Sequence, residues 1–426
     1  MRHATCIGLV LVGVGCGSGR LTGPDAATPD AATPDAATPD AATADASSSA
    51  DGPPAADGGR RRSVDVLFMI DNSSEMSSMQ QKLVAELPVF VSALENLPGG
   101  FPDLHLAVVS SDMGAAGDST ASIGCTLAGD QGVFQAAPRG NCTSSGLQAN
   151  ASFISNVGGV ANYSGSLVDV LSCIVPLGNS GCGFEHQLAS VARALGADGA
   201  PPPAQNAGFL RPDAELAIFL LTNEDDCSAP ADTMLYSLNG GQQSTTNPLG
   251  PIANYRCNQF GHLCQDPTGP EPTAWMSPPL AIPSDAAGNP PTVTYAACKS
   301  NDGPDGMLTP LGQFIDGIKA LKADPSRIVV GGIIGPASPY TVTWVPPASP
   351  PPGTSNQLWP FAMHSCGAAG GYISPGGHLT ADGSFGDPGV RVGQWVQALG
   401  GTTGSVCDPS YAAPLDSFVT AIAAGG

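Results

Sequence analysis

Basic residues are scarce in this chain. It has 15 Lys and Arg against 36 Asp and Glu over 426 residues, a formal net charge of −21. With no basic cluster to neutralise phosphates, nucleic acid is not expected as a partner. Acidity of this kind fits a solvated surface or cation binding. No apolar run is long enough to span a bilayer. No C-x-x-C pair and no G-x-S-x-G elbow occur, which argues against a paired-thiol redox or metal site and against an α/β-hydrolase nucleophile. Charged residues make up only 12%, whereas Gly (55) and Pro (41) are abundant. That balance points to long ordered loops around a compact centre. A hydrophobic fraction of 42% supports a sizeable core in one large or two ordinary domains.

The N-terminus reads as an export signal over residues 1–16. "MRHATCIGLVLVGVGC" places Arg2 and His3 before an apolar segment from Cys6 to Gly15, which ends at Cys16. It resembles the lipobox of bacterial lipoproteins, although Gly13 stands where leucine is preferred. The resemblance implies that Cys16 is lipidated and becomes the mature N-terminus. Gly17 in place of Asp then implies the outer membrane. A secretory signal cut elsewhere is the alternative. Four copies of PDAAT follow from Pro24 to Thr43. A proline every fifth residue forbids a stable helix, so residues 17–62 read as an extended tether that carries no chemistry.

Ten cysteines remain beyond Cys6 and Cys16: Cys125, Cys142, Cys173, Cys182, Cys227, Cys257, Cys264, Cys298, Cys366 and Cys407. An even count in an exported chain implies disulfides. Short-range pairs 125–142, 173–182 and 257–264 are expected. Cys257 and Cys264, with His262 between them, are the alternative metal ligands.

Residues 63–426 show alternating periods. "SVDVLFMI" (63–70) is the nearly continuous apolar run of a strand buried on both faces, and 103–112, 214–222 and 327–335 read likewise. Met76, Met79, Leu83, Leu87, Phe90, Leu94 and Leu97 form one stripe of a long helix, with a kink expected at Pro88. Further helices are expected around Phe184–Leu195, Leu308–Leu321 and Tyr411–Ile422. This alternation predicts an α/β fold with a doubly wound, mostly parallel sheet flanked by helices, whose ligands gather at the carboxyl ends of the strands. Residues 113–165 and 228–306 read as Pro/Gly-rich insertions that carry cysteines.

Two polar knots fall at strand ends, "DNSSE" after the first strand and "TNEDDCS" after 214–222, and the loop "LGNSGCGFE" (177–185) precedes the second helix. This constellation resembles the von Willebrand factor A domain family, in cysteine-rich bacterial surface lipoproteins. In that family a D-x-S-x-S strand end and two later loops hold a divalent ion that a partner's carboxylate completes. The resemblance implies Asp71 and Ser73 as ligands, with Glu75 where the second serine stands. It implies Ser180 from the second loop and, from the third, the acidic group around Asp225, because Asn223 occupies the aspartate position. Mg²⁺ or Ca²⁺ accepts such oxygens. A bound Glu75 would partly neutralise the ion. Alternatively, Asp71 and Ser73 cap the helix beginning near Met76.

The expected function is an envelope-anchored recognition module that binds a protein or glycan through its strand-end face, without turnover. A structural envelope protein of the same fold is the other reading. Neither His105, without an "AAHC" context, nor the scattered His186, His262, His364 and His378 reads as a catalytic base. "NDGPDG" (301–306) lacks the distal glutamate of an EF-hand loop and reads as a turn.

Overall fold

The computed structural model describes residues 61–115, 124–237, 244–265, 275–347, 357–367 and 383–425. All lie in the second of the two units into which the chain divides, Ala56–Gly426. The signal segment with Cys16, the PDAAT repeats and His378 fall outside the described residues.

The continuous apolar run becomes β1 (Ser63–Ile70), followed by α1 (Ser77–Glu95) and β2 (Asp103–Ser110). A hairpin of β3 (Ile154–Val157) and β4 (Val160–Ala161) leads to α2 (Leu167–Ile174), α3 (Gln187–Leu195) and β5 (Glu215–Leu221). Next come α4 (Tyr255–Gly261), β6 (His262–Gln265), β7 (Trp275–Met276), β8 (Thr292–Tyr295) and β9 (Cys298–Ser300). The last section is α5 (Leu311–Lys319), β10 (Ile328–Ile334), β11 (Tyr340–Val345), β12 (Trp359–Ala362), α6 (Val390–Ala398), β13 (Thr402–Ser405) and α7 (Ala412–Ala424).

Seven strands form one sheet in the order β13-β10-β5-β1-β2-β3-β4. The pairs from β13 through to β2 are parallel, and β3 and β4 add an antiparallel edge. The architecture is therefore α/β, with a mostly parallel mixed sheet. Strand side chains alternate between faces, so β1 feeds two cores. Val64, Val66, Phe68 and Ile70 pack with α1, α2 and α7, whereas Leu67 and Met69 pack with α3, α5 and α6. Helix α1 continues through Pro88 and buries Met79, Leu83, Leu87, Phe90 and Leu94, the stripe legible in the sequence. Two small antiparallel sheets, β12-β11-β8 and β7-β6-β9, flank this body. The segment 113–165 supplies the β3–β4 edge of the main sheet, while 228–306 builds α4 and strands of the small sheets.

All ten cysteines are paired, but not as short-range neighbours. The bridges are Cys125–Cys182, Cys142–Cys173, Cys227–Cys257, Cys264–Cys298 and Cys366–Cys407. The expected pairs 125–142, 173–182 and 257–264 are corrected by strand pairing. Cys264 on β6 faces Cys298 across the antiparallel β6–β9 register, with their Cα atoms 4.0 Å apart. That leaves Cys257 on α4 to reach Cys227.

At the opposite end of β1 from the polar knot, Asp65 is fully buried. Its carboxylate accepts hydrogen bonds from Arg211 N and Nε, both at 2.7 Å, and Lys322 Nζ lies 3.9 Å away. Removing one partner of a buried pair strands the other. Asp65→Ala is expected to lose about 3–5 kcal/mol in urea denaturation, whereas Val89→Ala on the outer face of α1 should change stability by less than about 0.5 kcal/mol.

Candidate functional site at the strand ends

The apolar run of β1 gives way to Asp71, whose backbone N–H still donates to Leu221 O at 2.9 Å. That bond sets Asp71 beside Thr222, the residue following β5. Thr222 Oγ1 donates to Asp71 Oδ2 at 2.7 Å, and Gln187 Nε2 donates to Thr222 Oγ1 at 2.8 Å. Asp71 Oδ1 accepts from Ser73 N at 2.8 Å and from Ser111 Oγ, just past β2, at 3.1 Å. Asp71 is fully buried, and desolvation raises its carboxyl above the usual range against the pull of these bonds. The polar ends of three adjacent strands thus meet on one side chain.

The helix-capping alternative is not what this geometry shows. Helix α1 begins after Met76 and has no side-chain cap. Ser73 Oγ is buried and has no hydrogen-bond partner. Ser74 and Glu75 are exposed, and the Glu75 charge reaches the interior electrostatically, acting on Glu185 and Glu224.

The second loop contributes other residues than the resemblance implied. Ser180 and its neighbour Asn179 are exposed. Gly181 is the close-approach point: its N–H donates to Asn72 O at 2.8 Å, and a Cβ there would lie 2.3 Å from Asn72 Oδ1. Gln80 of α1 pins the same loop, donating to Asp71 O and Gly178 O and accepting from Gly178 N. The chain then turns inward at Glu185, which is 2% exposed and whose Oε1 has no partner.

The three acids of the third loop separate. Glu224 faces Glu185, and the two carboxyl groups share a hydrogen bond. Asn254 Nδ2 also donates to Glu224 Oε2 at 2.7 Å. Asp225 lies at the start of α6, where it accepts from Arg391 N at 2.8 Å and Val392 N at 3.0 Å. His262 Nε2 is 2.7 Å from Asp225 Oδ2. Burial pushes Asp225 up, but His262 and the two helix N–H groups hold its carboxyl below the usual range. Asp226 accepts from Leu188 N at the start of α3 and from Arg391 Nε and Nη2. Of the residues singled out in the sequence, Asp71 and Ser73 therefore come together with Glu75 at the mouth, while Ser180 and Asp225 lie elsewhere. Glu185 was not singled out as a ligand, although it stands at the end of the quoted loop. Its inward turn depends on backbone contacts that spacing alone does not reveal.

Glu185 and Glu224 are both raised well above the ordinary glutamate value. Burial is the main cause for both; the Asp71 charge raises Glu185 further while the hydrogen bond of Glu185 with Glu224 works the other way, and the charges of Glu185 and Asp387 raise Glu224. Asp387 reaches this rim because its N–H donates to Asn223 O at 2.7 Å. Neither amide atom of the fully buried Asn223 side chain has a partner. Among the described residues no three His, Cys, Asp or Glu form a ready-made metal cage. The donors that do gather are carboxylate, hydroxyl and amide oxygens, of which Ser73 Oγ, Glu185 Oε1 and Asn223 Oδ1 have no partner. Such a set suits a hard divalent cation rather than a soft one.

No protein-family model and no curated protein matches the chain.

A carboxyl group that binds its proton more tightly when folded stabilises the fold below its unfolded value, here 4.5, and that contribution is lost as pH rises through the folded value. In chelator, the stability of Glu185→Gln relative to the unaltered protein is therefore expected to grow steadily from about pH 4.5 to neutral pH. Paired urea denaturations across that range measure it; a pH-independent difference would contradict the burial of this pair.

Proposed function

We propose that the chain is a von Willebrand factor A-type recognition module with a doubly wound sheet, which binds a protein or glycan partner at its strand-end face through a divalent cation. The observation that carries this reading is the group Asp71, Glu185 and Glu224. These carboxyl groups are gathered at the strand ends, and among the described residues no Lys or Arg pairs with them. Buried acids without a counter-charge are costly, and a divalent ion offsets that cost. Further support comes from the central position of β1, with helices on both faces and the polar loops at its carboxyl end, where open α/β sheets collect ligands.

Asp71, Ser73, Glu185 and Glu224 would hold the ion, with Glu75 at the mouth. Ca²⁺ accommodates this carboxylate-rich set more readily than Mg²⁺, which demands near-octahedral geometry. When bound, the ion offers a coordination position to one partner oxygen. Several carboxylates neutralise its charge, so an uncharged oxygen, such as a sugar hydroxyl or an amide carbonyl, is favoured over a partner carboxylate. The protein's part is binding without turnover. The second reading is a structural envelope protein of the same fold without an ion site.

Thermal denaturation of chelator-treated protein with added Ca²⁺, Mg²⁺ or Mn²⁺ separates the two. An ion at one hundred times its Kd should add about 2.7 kcal/mol, and Asp71→Ala should abolish the gain. A melting temperature unmoved by all three ions would leave the structural reading.

The display of this module on an envelope rests on the N-terminal segment. Cys16 would carry the lipid, and residues 17–62 would hold the domain clear of the outer membrane. Expressed in a diderm bacterium, the protein should partition into detergent, while Cys16→Ser should move to the aqueous phase. A variant that stays in detergent with unchanged mass would exclude lipidation at Cys16.

A further inference from the structure

Basic residues are few, yet three stand in a row at Arg60, Arg61 and Arg62, immediately before β1. Upstream, the tether has no Lys or Arg between Arg20 and Arg60. Downstream, ten follow Arg62, and all of them lie among the described residues. Lys319 alone of these ten is exposed; the other nine are buried or half-buried.

The triplet spans a sharp change in how the chain is held. Arg61 is exposed and outside any strand or helix, and among the described residues nothing bonds its side chain. Arg62, by contrast, is clamped. Its Nη1 donates to both Glu215 carboxylate oxygens, at 2.9 and 3.1 Å, and to Ile422 O. Nη2 donates to Ala423 O at 2.9 Å, and the Arg62 carbonyl accepts from Asp103 N at 2.8 Å. One residue thereby joins the start of β1 to β2, β5 and the end of α7. A chain cut ahead of Arg62 keeps every one of these contacts.

Proteases nick folded chains where the backbone is exposed and little hydrogen-bonded. Those of the trypsin class also need a free arginine or lysine on the upstream side of the cut, which a carboxylate in their specificity pocket receives. Arg61 offers such a side chain. Lys319 does not, because it is the last residue of α5, next to the buried Ile318. Ala320 N also donates to Asp316 O at 3.0 Å there. Cleavage after Lys319 therefore requires the last turn of α5 to open first.

We propose that the triplet is a site of limited proteolysis, at which an arginine-specific protease of the trypsin class hydrolyses the bond before or after Arg61. Water adds across that peptide bond, leaving a carboxylate on the upstream arginine and an amine on the fragment. The product, residues 61–426 or 62–426, keeps the whole seven-stranded sheet and all five disulfides. With Cys16 lipidated as proposed above, the cut separates the module from its anchor. The cleavage itself depends on neither the lipid nor the ion.

The test is limited digestion of the full chain with trypsin in native buffer, followed by mass spectrometry and thermal denaturation. The fragment that accumulates first should begin at Arg61 or Arg62 and melt at the same temperature as the uncut chain. Any cut beyond Arg62 should be slower by about tenfold or more. Replacing Arg60→Gln and Arg61→Gln together leaves Arg62 as the only basic residue of the triplet, and its clamp should protect the Arg62–Ser63 bond. That double variant should slow cleavage between residues 60 and 63 by about tenfold or more, with an unchanged melting temperature. The proposal is overturned if Lys319 or another residue beyond Arg62 is cut first, or if the fragment loses its cooperative melt. Cleavage after Arg20 with the triplet left whole, or an equal rate in the double variant, would overturn it as well.

Discussion

The buried carboxylate of Asp71 is the constraint around which the strand-end face is organised. A charged group at the end of an apolar strand survives burial only when neighbouring dipoles solvate it. Here that solvation comes from Thr222 after β5, Ser111 after β2 and the turn at Ser73. Each donor sits at the end of a strand paired directly with β1 or in the loop that leaves it. The same requirement extends outward, since Gln187 fixes the Thr222 hydroxyl and Gln80 ties the Asp71 carbonyl to the second loop. Position in the sheet and polarity at its edge are thus one problem with a common solution.

The strands were legible because a strand buried on both faces has to be almost wholly apolar. β1, β2, β5 and β10 satisfy this within a residue or two of the runs read from the sequence. β13 was not legible: "TTGS" lies at the sheet edge, half exposed, and needs no apolar side chains. α2 was missed for a different reason. It is eight residues long, too short for a persistent stripe, and its signal is the capping box of Ser166 and Asp169. The disulfides illustrate the remaining limit. Cysteine count gave their number, but Cys264 meets Cys298 through an antiparallel register that no spacing rule contains.

The acidic knot after β5 shows why the site itself was only half legible. Glu224, Asp225 and Asp226 are adjacent and chemically alike, yet each meets a different demand. The exposed N–H groups at the start of α6 and α3 attract carboxylates, and they take Asp225 and Asp226 respectively. Arg391 then neutralises Asp226 from within α6. Helices that arrive from 38 residues earlier and 165 residues later decide which acid remains to face Glu185. A linear reading sees three equivalent acids, whereas the fold ties two of them to helix starts and leaves one facing Glu185.

What remains is an electrostatic imbalance at the strand ends that several other buried acids among the described residues do not share. Asp65 is as buried as Asp71, but it has Arg211 against it and Lys322 nearby. Asp226 has Arg391. Glu215 has Arg62. With only 15 basic residues in the chain, three of its buried acids are nevertheless matched with a cation. Glu185 and Glu224 are instead matched with each other, which protons can satisfy only at the expense of a raised affinity for them. On the reading proposed for the strand ends, this pair is balanced from outside. On that reading an exchangeable cation takes this role at neutral pH, because a divalent charge offsets the cost of two neighbouring carboxylates held away from water.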